Sequence, residues 1–163
     1  LDLDMPPSTN SQVLTKNGDR DSKMHHARSE AESGHGLNGY TTVMIQQVPF
    51  KYTQDKLADE INEDGFDSSY DFLYLPANAR SHCTRGFGFI NFKSAVLAEE
   101  FYHKYHGQKL RQYESANPIT VVPADAQGFE QSAACFFSSW LLRKKKRQTM
   151  PIFKRPVPKH LRS

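Results

Sequence analysis

Between residues 41 and 122 the spacing of hydrophobic positions changes several times, and each change marks a predicted element. TTVMIQQV (41–48) is rich in β-branched residues and stops at Pro49, so it predicts a first strand. Thr53 then stands where a helix N-cap is needed. Asp55 lies in the first turn, where its charge suits the helix dipole, and Tyr52 and Leu57 have hydrophobic-staple spacing. Leu57, Ala58 and Ile61 form the apolar stripe of this helix, and Gly65 ends it. YDFLYL (70–75), closed by Pro76, predicts a second strand. A polar loop follows over 77–84, and GFGFINF (86–92) predicts a third strand. Ser94 caps a second helix with Leu97, Phe101 and Tyr105 at i, i+4 and i+8, and Gly107 closes it. ITVV (119–122) is the fourth strand.

The order β-α-β-β-α-β within roughly 85 residues predicts a ferredoxin-like α+β fold. A four-stranded antiparallel sheet carries two helices on one face and leaves the other open. Residues 127–142, with Phe129, Phe136, Phe137, Trp140, Leu141 and Leu142, predict an extra carboxy-terminal helix. The chain thus divides into an arm (1–39), a folded domain (40–124), a helical extension (125–142) and a basic tail (143–163). The arm is Ser-, Asn-, Asp- and Gly-rich with few large apolar residues. It cannot bury enough surface to offset the entropy of ordering, so disorder is expected there, and in the basic tail as well. Gly34–Gly39 matches a G-x-G-x-x-G spacing, but it follows polar sequence and precedes a strand. A dinucleotide loop needs the reverse context. The chain begins with leucine, and we expect it to be a fragment or a processed product, without a signal peptide of the usual form.

Strand three carries the most chemistry. Side chains alternate faces with period two, so Ile90 and Phe92 face one way, with Gly86 and Gly88 leaving room on that side. Arg85, Phe87, Phe89 and Asn91 face the other way. If the first set packs on the helices, two phenylalanines and an arginine lie on the open face. Nucleic-acid bases offer a flat π-surface to such rings, worth about 1–3 kcal/mol per base, and the arginine can meet a phosphate. On strand two, Tyr70, Phe72 and Tyr74 share the face opposite Leu73 and Leu75. The leucines belong in the core and Tyr74 on the open face, while Tyr70 and Phe72 either join that face or fill the sheet edge.

Arg85-Gly86-Phe87-Gly88-Phe89-Ile90-Asn91-Phe92 resembles the ribonucleoprotein octamer of the RNA recognition motif at every specified position. The companion hexamer, Val43-Met44-Ile45-Gln46-Gln47-Val48, is a partial match, with Met44 at its usually aromatic second position. Together TTVMIQQVPFKYTQ (41–54), YDFLYLP (70–76) and GFGFINF (86–92) are similar to the carboxy-terminal RNA recognition motif of the Mei-two-like proteins, RNA-binding regulators of meiosis and development. That resemblance covers about residues 40–142, and methionine is usual in that family where Met44 stands. It departs at Gln47 and Phe50, where asparagine is usual, and at Asp125, where a basic residue is expected after strand four. The resemblance implies single-stranded RNA as partner. Phe87 and Phe89 would stack bases or a sugar, Met44 would support a neighbouring base, and Arg85 would meet phosphate. Gln46 or Asn91 would bond a base edge, with Tyr74 as a further sheet-face contact. Post-transcriptional control in the nucleus, the cytoplasm or both is the implied role.

Charge adds one feature. Residues 1–39 and 40–123 each carry net −2, whereas residues 124–163 carry +7. Arg143, Lys144, Lys145, Lys146 and Arg147 are contiguous, and they would attract phosphate without reading sequence or serve as an import signal. A folded domain of net −2 also admits a different reading: a docking module whose aromatic carboxy-terminal segment binds a protein partner or peptide. That same segment, folded back, would bury Phe87 and Phe89. No apolar run reaches the ~20 residues of a membrane span. Cys83 and Cys135 make no disulfide framework, and His82 next to Cys83 is not a catalytic spacing. His103 and His106, at i and i+3, have no placed co-ligand. We expect no enzyme activity, cofactor, metal or small-molecule substrate.

Overall fold

The computed structural model describes residues 36–113, 117–142 and 149–162. The chain divides into two units, Leu1–His35 and Gly36–Ser163, and all described residues lie in the second. The elements in order are β1 (Thr42–Gln46), α1 (Gln54–Ile61), β2 (Tyr70–Tyr74), β3 (Phe87–Phe92), α2 (Ala95–Tyr105), β4 (Thr120–Pro123), α3 (Phe129–Leu142), β5 (Ile152–Phe153) and α4 (Lys159–Arg162). The five strands among the described residues join one antiparallel sheet in the order β4-β1-β3-β2-β5.

The helix starts lie where local chemistry puts them. The Thr53 hydroxyl accepts from Lys56 N and the Ser94 hydroxyl from Leu97 N, each at 3.2 Å, satisfying amides that the first turn leaves unpaired. Beyond Ile61 a wider turn runs through Asn62–Phe66, and Gly65 reverses the chain at φ 99°. Helices α1 and α2 cover the sheet face that carries Val43, Ile45, Leu73, Leu75, Ile90, Phe92 and Val121, all buried with Leu57, Ile61, Ala98, Phe101 and Tyr105. An aromatic chain of Phe66, Phe92, Phe101 and Tyr105 fills the space between sheet and helices. Fully burying a Phe is worth about 1.5–3 kcal/mol, so this chain is a large part of the core. Gly88 faces the same side. A Cβ there would come within 2.9 Å of Leu75 Cδ1 and 3.0 Å of the Tyr74 carbonyl oxygen, so close packing of β2 on β3 requires glycine.

A polar belt closes the far edge of the core. Tyr52 donates to Glu60, Tyr105 donates to Asp64, and Arg111 forks onto Asp64 at 2.8 and 3.0 Å. Burial opposes ionisation of Asp64, but the bonds from Arg111 and Tyr105 outweigh it and hold the carboxyl below its ordinary value. Burial and those same carboxylates push the Tyr52 and Tyr105 hydroxyls well above theirs.

The fold departs from the sequence expectations in the sheet, the tail, the arm and the face of Tyr70. The sheet has five strands, because Ile152–Phe153 pairs with β2. The expected disordered tail therefore contains a strand and a short helix among residues 149–162, whereas Arg143–Arg147 lie outside the described residues. The expected arm ends earlier than residue 39, since Leu37 is fully buried in the core and its amide donates to Glu99 Oε1 at 3.0 Å. Residues 1–35 lie outside the described residues. Tyr70 joins the core instead of sharing a face with Tyr74, because a register shift between Tyr70 and Phe72 flips the strand at Asp71.

Candidate nucleic-acid interface

Strand register sorts the second sheet face into three rows. Directly paired residues share a face. The first row is Thr42, Asn91, Phe72 and Phe153; the second is Val122, Met44, Phe89 and Tyr74; the third is Thr120, Gln46 and Phe87.

The first row is covered. Asn91 is 4% exposed, and its amide is committed at both ends. Its Oδ1 accepts from Thr42 Oγ1 at 2.6 Å and from Thr41 Oγ1 at 3.1 Å, while its Nδ2 donates to Asp71 Oδ1 at 2.8 Å. Gly128 N, just ahead of α3, donates to the Thr42 hydroxyl, and Arg155 lies 3.6 Å from the Asp71 carboxylate. The Gln127 side chain clamps the same edge, accepting from Thr41 N and Thr42 N and donating to the Thr42 carbonyl. Beside Phe72, on β5, the Phe153 ring lies 5.6 Å away. It stacks on Phe137 at 5.9 Å and meets Phe129 edge-on at 6.1 Å. Asn91 is thus withdrawn from the open face. Of the two residues that sequence assigns to a base edge, only Gln46 stands on the open part of the sheet.

The second row is open except at its β2 end, where Phe136 of α3 meets Tyr74 edge-on at 5.0 Å. Met44 and Phe89 are half-buried neighbours on the central strands. The third row is half-buried throughout. Phe87 sits edge-to-face with Phe89 at 5.8 Å, and the exposed Arg85 guanidinium lies 5.9 Å above the Phe87 ring. Thr120 Oγ1 donates to Gln46 Oε1 at 2.9 Å, which holds that amide on the row. The carboxy-terminal helix therefore lies over one corner of the face and leaves both rings partly exposed.

The structure brings Phe87, Phe89, Arg85, Met44 and Gln46 together on one surface, with Tyr74 at its margin. Two neighbours on that surface, Val122 and Thr120, are absent from the sequence reading. Both lie on β4, whose side-chain alternation is legible in sequence but whose register against β1 is not. Asp125 is exposed where β4 leaves the sheet, at the covered end. Arg85 marks the opposite, open end.

Residues 40–137, more than half the chain, match the model of RNA recognition motif 2. The chain belongs to the RNA recognition motif 2 family. Among curated relatives of this RNA recognition motif, protein MEI2-like 3 of Arabidopsis thaliana is 29% identical over 153 residues, which is 94% of this chain and 20% of that protein. Protein MEI2-like 5 of Oryza sativa subsp. japonica is 32% identical over 125 residues, 77% of this chain and 15% of that protein. Protein terminal ear1 of Zea mays is 30% identical over 118 residues, 64% of this chain and 18% of that protein. The chain thus spans about a fifth or less of the length of these relatives. Among solved structures, the Rna15 RNA recognition motif with bound RNA is 12% identical with a TM-score of 0.45, over 60% of this chain and 96% of that one. The second such motif of yeast Pub1 is 16% identical with a TM-score of 0.40, over 54% of this chain and 99% of that one.

Proposed function

We propose that this domain binds single-stranded RNA across the two open rows of its sheet, as part of a post-transcriptional regulator of the MEI2-like kind. One observation carries the reading. Phe87 and Phe89 stand side by side on a central strand, partly exposed, with Arg85 over one ring and Met44 beside the other. Two rings held apart from the core offer stacking surfaces for successive bases, and the guanidinium reaches the connecting phosphate. Met44 gives a polarizable apolar floor beneath a neighbouring base. Gln46, oriented by Thr120, supplies a hydrogen-bonding amide at a base edge. Tyr74 contributes at most the side of its ring not taken by Phe136. The Arg143–Arg147 run adds sequence-independent attraction.

The test is a fluorescence-anisotropy titration of residues 36–163 with a random single-stranded RNA pool, at low and moderate salt, beside the Phe87→Ala, Phe89→Ala double variant. Binding that weakens with salt and is lost in the double variant supports the reading. Binding retained in full by the double variant would sink the stacking assignment. A domain that binds no RNA at either salt, yet captures a peptide through its aromatic carboxy-terminal segment in a salt-insensitive way, would favour the docking module instead.

A further inference from the structure

Beyond the open end of the sheet the chain builds a second surface from two loops, residues 47–54 and 76–86. Phe50 is its centre. It is 70% exposed, the largest exposure of any large hydrophobic residue among those described. Its loop is nonetheless tightly held. Val48 N donates to the Gly86 carbonyl at 2.9 Å, Thr84 N donates to the Phe50 carbonyl at 3.2 Å, and Tyr52 N donates to the Pro49 carbonyl at 3.0 Å. The facing loop is pinned in turn. Arg85 N donates to the Pro76 carbonyl, Ala77 bridges to Thr84, and Asn78 gathers the tip through Cys83, His82 and Arg80. Gln47 leaves β1 in the left-handed region (φ 66°), a conformation costly for a residue with a Cβ and often kept where a site needs it.

Charge singles out the same place. The two loops carry Lys51, Arg80 and Arg85, all exposed, and not one Asp or Glu. Residues 40–123 as a whole carry net −2, so these loops form a positive end on a domain that is otherwise acidic. The surface adjoins the third row directly, because Gly86 links Arg85 to Phe87. A solvent-facing ring on a rigid backbone loses little entropy when a flat ligand stacks on it.

We propose that Phe50 is an additional base-stacking position, which takes a nucleotide of the bound RNA beyond those on Phe87 and Phe89, with Lys51 and Arg80 on its flanking phosphates. The single-stranded chain then leaves the sheet past Arg85, at the end away from Asp125 and the clamp of α3. This inference rests on the sheet being the RNA platform.

The experiment compares wild type, Phe50→Ala, Phe50→Trp and the Phe87→Ala, Phe89→Ala variant. Each is titrated by anisotropy with a random trinucleotide pool and a random decanucleotide pool. Phe50→Ala should weaken decanucleotide binding by at least about 5-fold, the low end for loss of one stacked base, and leave the trinucleotide unchanged. Phe50→Trp should restore the decanucleotide. Lys51→Gln with Arg80→Gln should reduce the decanucleotide salt slope by about 0.7 for each phosphate no longer neutralised. If Phe50→Ala binds both pools like wild type while the double variant loses both, the Phe50 site is overturned and the sheet platform survives. Equal weakening of both pools by Phe50→Ala also overturns it. If wild type binds neither pool, the sheet platform itself fails and this site falls with it.

Discussion

Replacing Asn91 by alanine separates a structural role from a recognition role at a position where strand alternation alone suggests recognition. In the structure Asn91 joins β1 to β2 beneath the start of α3. Removing its amide takes the acceptor from the Thr42 hydroxyl, worth about 0.5–1.5 kcal/mol, and the donor from a carboxylate, worth about 1.5–3 kcal/mol. Asp71 is only 4% exposed and keeps Arg155 at 3.6 Å, but it loses its bond from the Asn91 amide. The expected loss is therefore about 2–4 kcal/mol. With a urea m-value of about 1–3 kcal/mol per molar, the unfolding midpoint should drop by at least roughly 0.7 M. A small domain begins with about 5–15 kcal/mol, so the variant stays folded without denaturant. Its RNA affinity should remain within about twofold of wild type, because the two open rows are untouched. Urea titration by circular dichroism reads the first quantity and anisotropy the second. An unmoved midpoint together with lost RNA affinity would refute the reasoning and return Asn91 to the interface.

Three further outcomes are expected. Asp64 has a lowered pKa in the folded state, so its contribution to stability is present above the unfolded carboxyl value of about 3.9 and is lost as pH falls through the folded value. Asp64→Asn should flatten that acidic limb of the stability–pH curve, and a limb of unchanged slope would contradict the Arg111 fork. Phe153→Ala removes the ring between Phe72, Phe129 and Phe137 and should cost about 2–4 kcal/mol, with faster tryptic cleavage after the neighbouring Lys154; unchanged resistance to trypsin at that bond would show that β5 contributes little. Changing Arg143, Lys144, Lys145, Lys146 and Arg147 to glutamine should weaken binding of all RNA sequences alike and flatten the salt slope, whereas a loss confined to one sequence would contradict that role.

The parts of the fold legible in sequence are those set by local chemistry. Thr53 and Ser94 cap helices with their own hydroxyls, and the alternation through Arg85–Phe92 assigns faces without help from distant residues. What sequence does not show depends on partners far along the chain. Ile152–Phe153 is a strand of two residues between Pro151 and Pro156, too short to show a period, and it forms because Phe153 finds Phe72 and α3. Tyr70 lies on the face opposite to the one that simple alternation predicts, because one bulge at Asp71 inverts the strand. Asn91 has the face predicted for it, but Gln127 and Gly128 bring α3 down over that row, and only the register reveals the cover. Phe50 lies in a segment that reads as an ordinary loop; its rigidity comes from hydrogen bonds to the β2–β3 loop that no local pattern encodes.

The most direct test of the central claim is a nuclear magnetic resonance titration of the labelled domain with single-stranded RNA, following every assigned amide and methyl. The largest shifts are expected at Met44, Gln46, Phe87, Phe89 and the Arg85 end of the sheet, with Asn91 and the α1 and α2 surfaces little changed. Shifts confined to the helical face, or to the Arg143–Arg147 run alone, would contradict RNA binding on the sheet.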